Sequence, residues 1–246
     1  MALSTGCGGS GTAGGRVDDR ADAGRSAKPQ QALSPRQLDR LALTPADLPG
    51  HQVYGNPAGR VTDTGARHDA DRRACDPIAG LLVNGLQPAP EALVAREVSP
   101  LDASGEVTGV SYDPTLSAYG GGRAAGRTVA RLRTAVDDCR DGFAVKDQES
   151  AEGGTPEEYP QVRPLPAPKV GDEALVFRLT KGDGAPDGVP LRRETYTVVR
   201  EGPLVVVFRA WHYAEERAYS TPDDVLHAQL AKLAGVGAAR FDKEPG

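Results

Sequence analysis

The side chains that could do chemistry in this chain are few and widely spaced. There are three cysteines, Cys7, Cys75 and Cys139, and four histidines, His51, His68, His212 and His227. A structural zinc site takes about four ligands at short, regular spacing. The nearest approach, His68 with Asp69 and Asp71, lies in a polar stretch and reads as a solvated loop. Neither a metal nor a cofactor is expected. A serine hydrolase elbow, Gly-x-Ser-x-Gly, is absent. Two glycine clusters imitate a dinucleotide fingerprint, Gly9-x-Gly11-x-x-Gly14 and Gly120-x-Gly122-x-x-Ala125. The first precedes every strand pattern, and no parallel βαβ unit surrounds the second, so neither is read as a pyrophosphate cradle. Trp211-His212-Tyr213 holds the single tryptophan and ends an apolar strand pattern. It is the expected ligand surface, the other reading being a strand end that shields the core. No catalytic residue is assigned, and a non-enzymatic role is expected.

The cysteines separate by context. Cys7 follows Leu3-Ser4-Thr5-Gly6 and precedes Gly8-Gly9-Ser10, which resembles the lipobox of bacterial lipoproteins, where the cysteine is diacylated and becomes the mature N-terminus. Ser4 stands where leucine is usual, and Leu3 lies one place further out. A signal peptide needs a basic start and an apolar stretch of about 7 to 15 residues. Only Met1 to Gly6 precede Cys7, so Met1 is expected to lie inside a longer signal peptide. The other reading is a cytosolic start with Cys7 as a thiol in a disordered tail. Cys75 and Cys139 suit one disulfide in an exported protein, worth about 4 kcal/mol by chain entropy, or two buried thiols in a cytosolic one.

Composition narrows the partners. Lys and Arg number 29 against 34 Asp and Glu, a net charge of −5 without a basic run. Nucleic acid is not an expected partner, since phosphate neutralisation supplies most of such affinity. No run of about 18 apolar residues is present to form a membrane-crossing helix. Arginine greatly outnumbers lysine and Ala, Gly and Pro abound, the composition of a GC-rich bacterial genome.

The elements that must position these residues follow from periodicity. Residues 8 to 34 are Gly, Ala, Ser and charge, too poor in apolar surface to offset chain entropy, and read as a flexible tether. Leu38, Leu41 and Leu43 make a short helical entry, and residues 51 to 74 are polar and irregular. Residues 92–98 and 106–112 read as a hairpin. Val129, Leu132, Val136 and Cys139 share one face of a helix over 123–139, which sends Cys139 into the interior. Arg123, Arg127 and Arg131 form a solvated stripe, and Arg133 can pair with Asp137 four residues on. Residues 146 to 170 carry five prolines and read as a surface excursion. Strands are expected over 173–180, 193–200 and 204–211, the last apolar on both pleat faces and so covered on both sides. A final helix runs from Pro222 to Ala234, with Thr221 as N-cap and Leu226, Leu230 and Leu233 buried.

The expected fold class is α+β: an antiparallel sheet of about five to six strands covered by two or three helices. One domain over residues 35–240 stands behind residues 1–34, a truncated signal remnant, lipobox and tether.

With these residues in place, the chain resembles the extracellular sensor-domain family of PknH-type actinobacterial receptor kinases and related lipoproteins. The resemblance rests on Leu43-Thr44-Pro45-Ala46-Asp47-Leu48-Pro49, the Cys75 segment, Cys139-Arg140-Asp141-Gly142-Phe143 and Val170-Gly171-Asp172-Glu173-Ala174. It implies an extracytoplasmic domain with a ligand-binding cleft and no established catalytic residues. Kinase-linked members typically hold two disulfides; this chain offers only Cys75 and Cys139 for one. The expected protein is therefore a sensor or ligand-binding lipoprotein on the outer face of the cell membrane. Its partners would be the membrane, through the N-terminal lipid, and an unknown small molecule or envelope protein. The alternatives are a hydrolase with a loop-built site and an envelope assembly factor.

Overall fold

The computed structural model describes residues 32–55, 68–145, 157–182, 192–214 and 217–238. Helix α1 (Pro35–Leu41) leads to strand β1 (His51–Gly55) and helix α2 (Asp76–Leu82). The hairpin of β2 (Ala92–Pro100) and β3 (Val110–Ala118) is followed by helix α3 (Gly122–Asp138) and the short β4 (Phe143–Val145). Then come β5 (Glu157–Leu165), β6 (Glu173–Gly182), β7 (Arg192–Glu201), β8 (Leu204–His212) and helix α4 (Asp223–Ala238). All strands join one antiparallel sheet in the order β1-β2-β3-β8-β7-β6-β5-β4.

The sheet is a middle layer. On one face α3 places Val129, Leu132, Ala135 and Val136 against Phe177, Tyr196, Val198, Val205 and Val207, with α2 alongside. On the other, Leu38 of α1 and Val225, Leu226 and Leu233 of α4 pack on Val94, Val98, Leu116, Val206 and Phe208. The two pleat faces of β8 therefore serve two cores, as its unbroken apolar run requires.

The α+β class stands, but among the described residues the sheet has eight strands and the helices number four, more than expected. The extra strands have physical reasons for their weak signal. In β1 only Val53 is buried, and β4 is three residues long. Strand β5 lies in the proline-rich stretch that reads as an excursion. Its pairing with β6 shifts between Glu158 and Gln161, where Pro160 sits, so the missing N–H disrupts no ladder. Pro164 lies beyond the end of the β4 pairing, where β5 has become an edge.

Other boundaries moved for local reasons. Strand β3 starts only at Val110, because the Asp102 carboxylate accepts from the Ser104 N–H, the Ser104 hydroxyl and the Glu106 N–H and holds the loop ahead of it. The strand then runs through Asp113-Pro114, and Gly120-x-Gly122-x-x-Ala125 opens α3 directly behind it. Both partners of β3 are antiparallel, so no dinucleotide-type unit forms. The Thr221 hydroxyl is buried without a partner and does not cap α4; the Pro222 carbonyl accepts from Leu226 N–H at 3.0 Å. Arg133 meets Glu173 at 3.5 Å, while Asp137 pairs with Arg140 at 2.7 Å. Leaning back over the sheet, α3 brings Arg133 to a carboxylate from β6.

Candidate functional site

Cys75 and Cys139 form a disulfide with a Cα–Cα distance of 5.9 Å, and both residues are fully buried. Cys75 closes a one-turn 3-10 helix (Arg73–Cys75) ahead of α2, and Cys139 caps α3. The bond thus holds the start of one helix against the end of the other. Backbone contacts reinforce it. Arg72 donates to the carbonyls of Gly142 and Asp138, each at 2.9 Å, satisfying acceptors at the negative end of α3. The Asp71 carboxylate accepts from Ala144 N–H at 2.9 Å. The His68–Asp71 stretch is solvent-exposed at Asp69 and Asp71, as its polarity suggests, and it is also stitched to the corner between α3 and β4. At that corner Gly142 has φ +87°, and a Cβ there would lie 2.4 Å from the Tyr159 carbonyl oxygen.

Between the clamped helices runs a groove of about 540 Å³. Small residues open it: Ala130, Thr134 and Ala135 from α3 face Pro77 and Gly80 from α2. Gly80 accepts from Gly85 N–H at 2.7 Å, and a Cβ on Gly80 would sit 2.7 Å from the Gly85 oxygen, so this tight turn depends on glycine. His68, Asp69, Arg73, Asp76, Arg131 and Asp138 give the groove both signs of charge. Its volume suits a small ligand, and its mixed rim suits a polar or zwitterionic one.

A second polar centre lies on the same sheet face, beyond the helices. Arg209 of β8 donates from Nε and Nη2 to the two oxygens of Glu194 on β7, at 2.9 and 2.6 Å. The Tyr196 hydroxyl donates to the same carboxylate at 2.7 Å. Asp113 of β3 accepts from Trp211 Nε1 at 2.7 Å and from the Ser111 hydroxyl. The Arg209 guanidinium lies over the Trp211 ring, 4.9 Å from its centroid. Burial raises the Asp113 carboxyl above its usual range despite the two donors. Burial, then the adjacent Glu194, pushes the Tyr196 phenol well up. For Arg209, burial opposes the charge, but Tyr196, Glu194 and Asp113 outweigh it and the guanidinium is held charged. A pocket of about 150 Å³ lined by Asn84, Glu97, Asp113, Tyr196 and Arg209 opens beside this network.

The Trp211-His212-Tyr213 triplet is divided by the strand's alternation. Trp211 joins the polar network, whereas His212 points to the opposite face, where it is buried. Its ring stacks between Tyr213 and Tyr219, at centroid distances of 5.2 and 5.6 Å. Tyr213 is exposed. Cys7 lies outside the described residues. Sequence reasoning named His68, Asp69 and Arg131 separately but did not bring them together in a groove, which forms only where the Cys75–Cys139 bond sets α2 against α3. The Glu194–Arg209 pair also had a signal: the tight turn linking Glu201 to Leu204 sets the register that places Tyr196 opposite Arg209.

No protein-family model matches the chain, and no curated protein matches it. Among solved structures it is similar to the extracellular domain of PknH from Mycobacterium tuberculosis, at 10% identity and a TM-score of 0.51, over 85% of this chain and 99% of that one. A likeness at that identity is one of fold. Among the described residues, no helix is long and apolar enough to cross a membrane.

Proposed function

We propose that this chain is a lipid-anchored extracytoplasmic domain of sensor type that binds a small polar ligand in the groove between α2 and α3, without catalysing a reaction. The observation that carries the reading is the Cys75–Cys139 disulfide clamping the two helices that wall the groove. Such a bond persists in oxidising compartments, and it holds the groove open before a ligand arrives, which lowers the ordering cost of binding. The fold likeness to the PknH extracellular domain supports the same compartment. Cys7, in its lipobox-like setting, would carry the acyl chains, with the residues that follow as tether.

The groove is tested by occlusion. Ala130 is exposed on the α3 wall, so Ala130→Trp fills the groove without entering the core. Small polar molecules screened by thermal shift should include one that stabilises the wild type, by about 2.7 kcal/mol at a hundredfold excess over Kd. Ala130→Trp should abolish that shift. A ligand that stabilises both proteins equally would place the binding site elsewhere.

A further inference from the structure

The charges that line the groove between α2 and α3 are sorted along its length. Asp76 follows Cys75, and Asp138 precedes Cys139. With the two cysteine Cα atoms 5.9 Å apart, the bond brings both carboxylates to one end of the groove. Asp69 lines the same end, because the next residue, Ala70, donates its N–H to the Asp76 carboxylate at 3.0 Å. Three carboxylates there meet one arginine, Arg73. Arg131 stands two turns of α3 before Asp138, about 10.5 Å along the axis and on the same face. Their charged neighbours pair elsewhere, Arg133 with Glu173 and Asp137 with Arg140. Arg131 and Asp138 are both exposed and line the groove without an ion pair among the described residues.

The groove is therefore basic at Arg131 and acidic at the disulfide. Between the two poles its walls are small, with Ala130 and Ala135 on α3 and Gly80 on α2, so an extended backbone has room to lie close. The Thr134 hydroxyl, about one turn from each pole, offers a donor and an acceptor to a peptide group. A free amino acid holds its opposite charges too close together to reach both ends. An extended chain of two to three residues spans about 7 to 10 Å, which matches the separation of the poles.

Resting on the reading of the groove as the ligand site, we propose that its ligand is a peptide of two to three residues held by its free termini. The Arg131 guanidinium takes the terminal carboxylate as a fork, and Asp138 and Asp76 accept from the terminal ammonium.

A panel of tripeptides with free termini, screened against the full chain by thermal shift, should contain a binder whose affinity calorimetry then measures. Amidating its C-terminus should weaken binding tenfold or more, and so should acetylating its N-terminus. Arg131→Gln should weaken the free peptide tenfold or more yet leave the amidated one within twofold, because the charge it would have met is already gone. Asp138→Asn should act in the same way on the acetylated peptide. Arg127→Gln, exposed on α3 outside the groove, should change nothing. If either groove variant fails to fold, the blocked peptides on the wild type decide. The absence of any tripeptide binder, or a binder indifferent to amidation and to Arg131→Gln, overturns the peptide assignment. The groove itself survives that result if another small polar molecule binds and is lost in Ala130→Trp. A tripeptide that binds the wild type and Ala130→Trp alike removes both.

Discussion

Glu194 is the residue on which the strand-end network turns. Its side chain is 3% exposed, while that of Arg209 is 36% exposed, so the carboxylate depends on its partners and the guanidinium still reaches water. Breaking a buried pair costs about 3 to 5 kcal/mol because the remaining charge is stranded. Arg209→Leu, which strands Glu194, should cost about that much in urea unfolding. Glu194→Ala should cost less, because Arg209 can turn to solvent. Equal losses would show that burial does not govern the pair. Asp113 gives a second test, in pH. Burial raises its carboxyl in the folded chain, so over that interval the native state binds more protons than the unfolded state. The stabilisation is therefore complete below the ordinary aspartate value and lost as pH rises through the folded value. Wild-type stability relative to Asp113→Asn should fall from about pH 3 toward neutrality. A difference that stays flat across that range contradicts the raised carboxyl.

Helices α2 and α3 are too small an interface to define a groove unaided; α2 has seven residues. The disulfide closes a sequence separation of 64, worth about 4 kcal/mol in the chain-entropy picture. Cys75→Ser with Cys139→Ser should lower stability by about 2 to 5 kcal/mol, read as an earlier urea midpoint. A loss below about 1 kcal/mol would mean that packing alone holds the helices. At this scale the sequence was most readable where apolar residues recur over many turns or along a whole strand. The stripe of Val129, Leu132 and Val136 marked α3 within a residue at each end, and Leu204–Phe208 marked β8 as doubly covered. Strand β5 could not be read locally. It is exposed at Glu157, Glu158, Pro160 and Gln161, and only pairing with β6 makes it a strand.

Across the whole molecule, the decisive event is the pairing of β3 with β8, which joins an early hairpin to the last strand and makes one sheet from two halves of the chain. No local pattern encodes that contact, which is why the strand inventory could be partly anticipated and the strand order could not. The groove was hidden for the same reason: its walls come from segments that meet only through the disulfide and the shared core. The bridge was the exception, since the number and setting of the cysteines pointed to one disulfide between Cys75 and Cys139. The central claim is thus a statement about the mature protein in its own cell, and intact-mass analysis of membrane-extracted protein under non-reducing conditions tests it directly. The account predicts a chain that begins at an acylated Cys7, with Cys75 and Cys139 two hydrogens lighter as a disulfide. A soluble product that retains residues ahead of Cys7 and yields three titratable thiols on unfolding would contradict it.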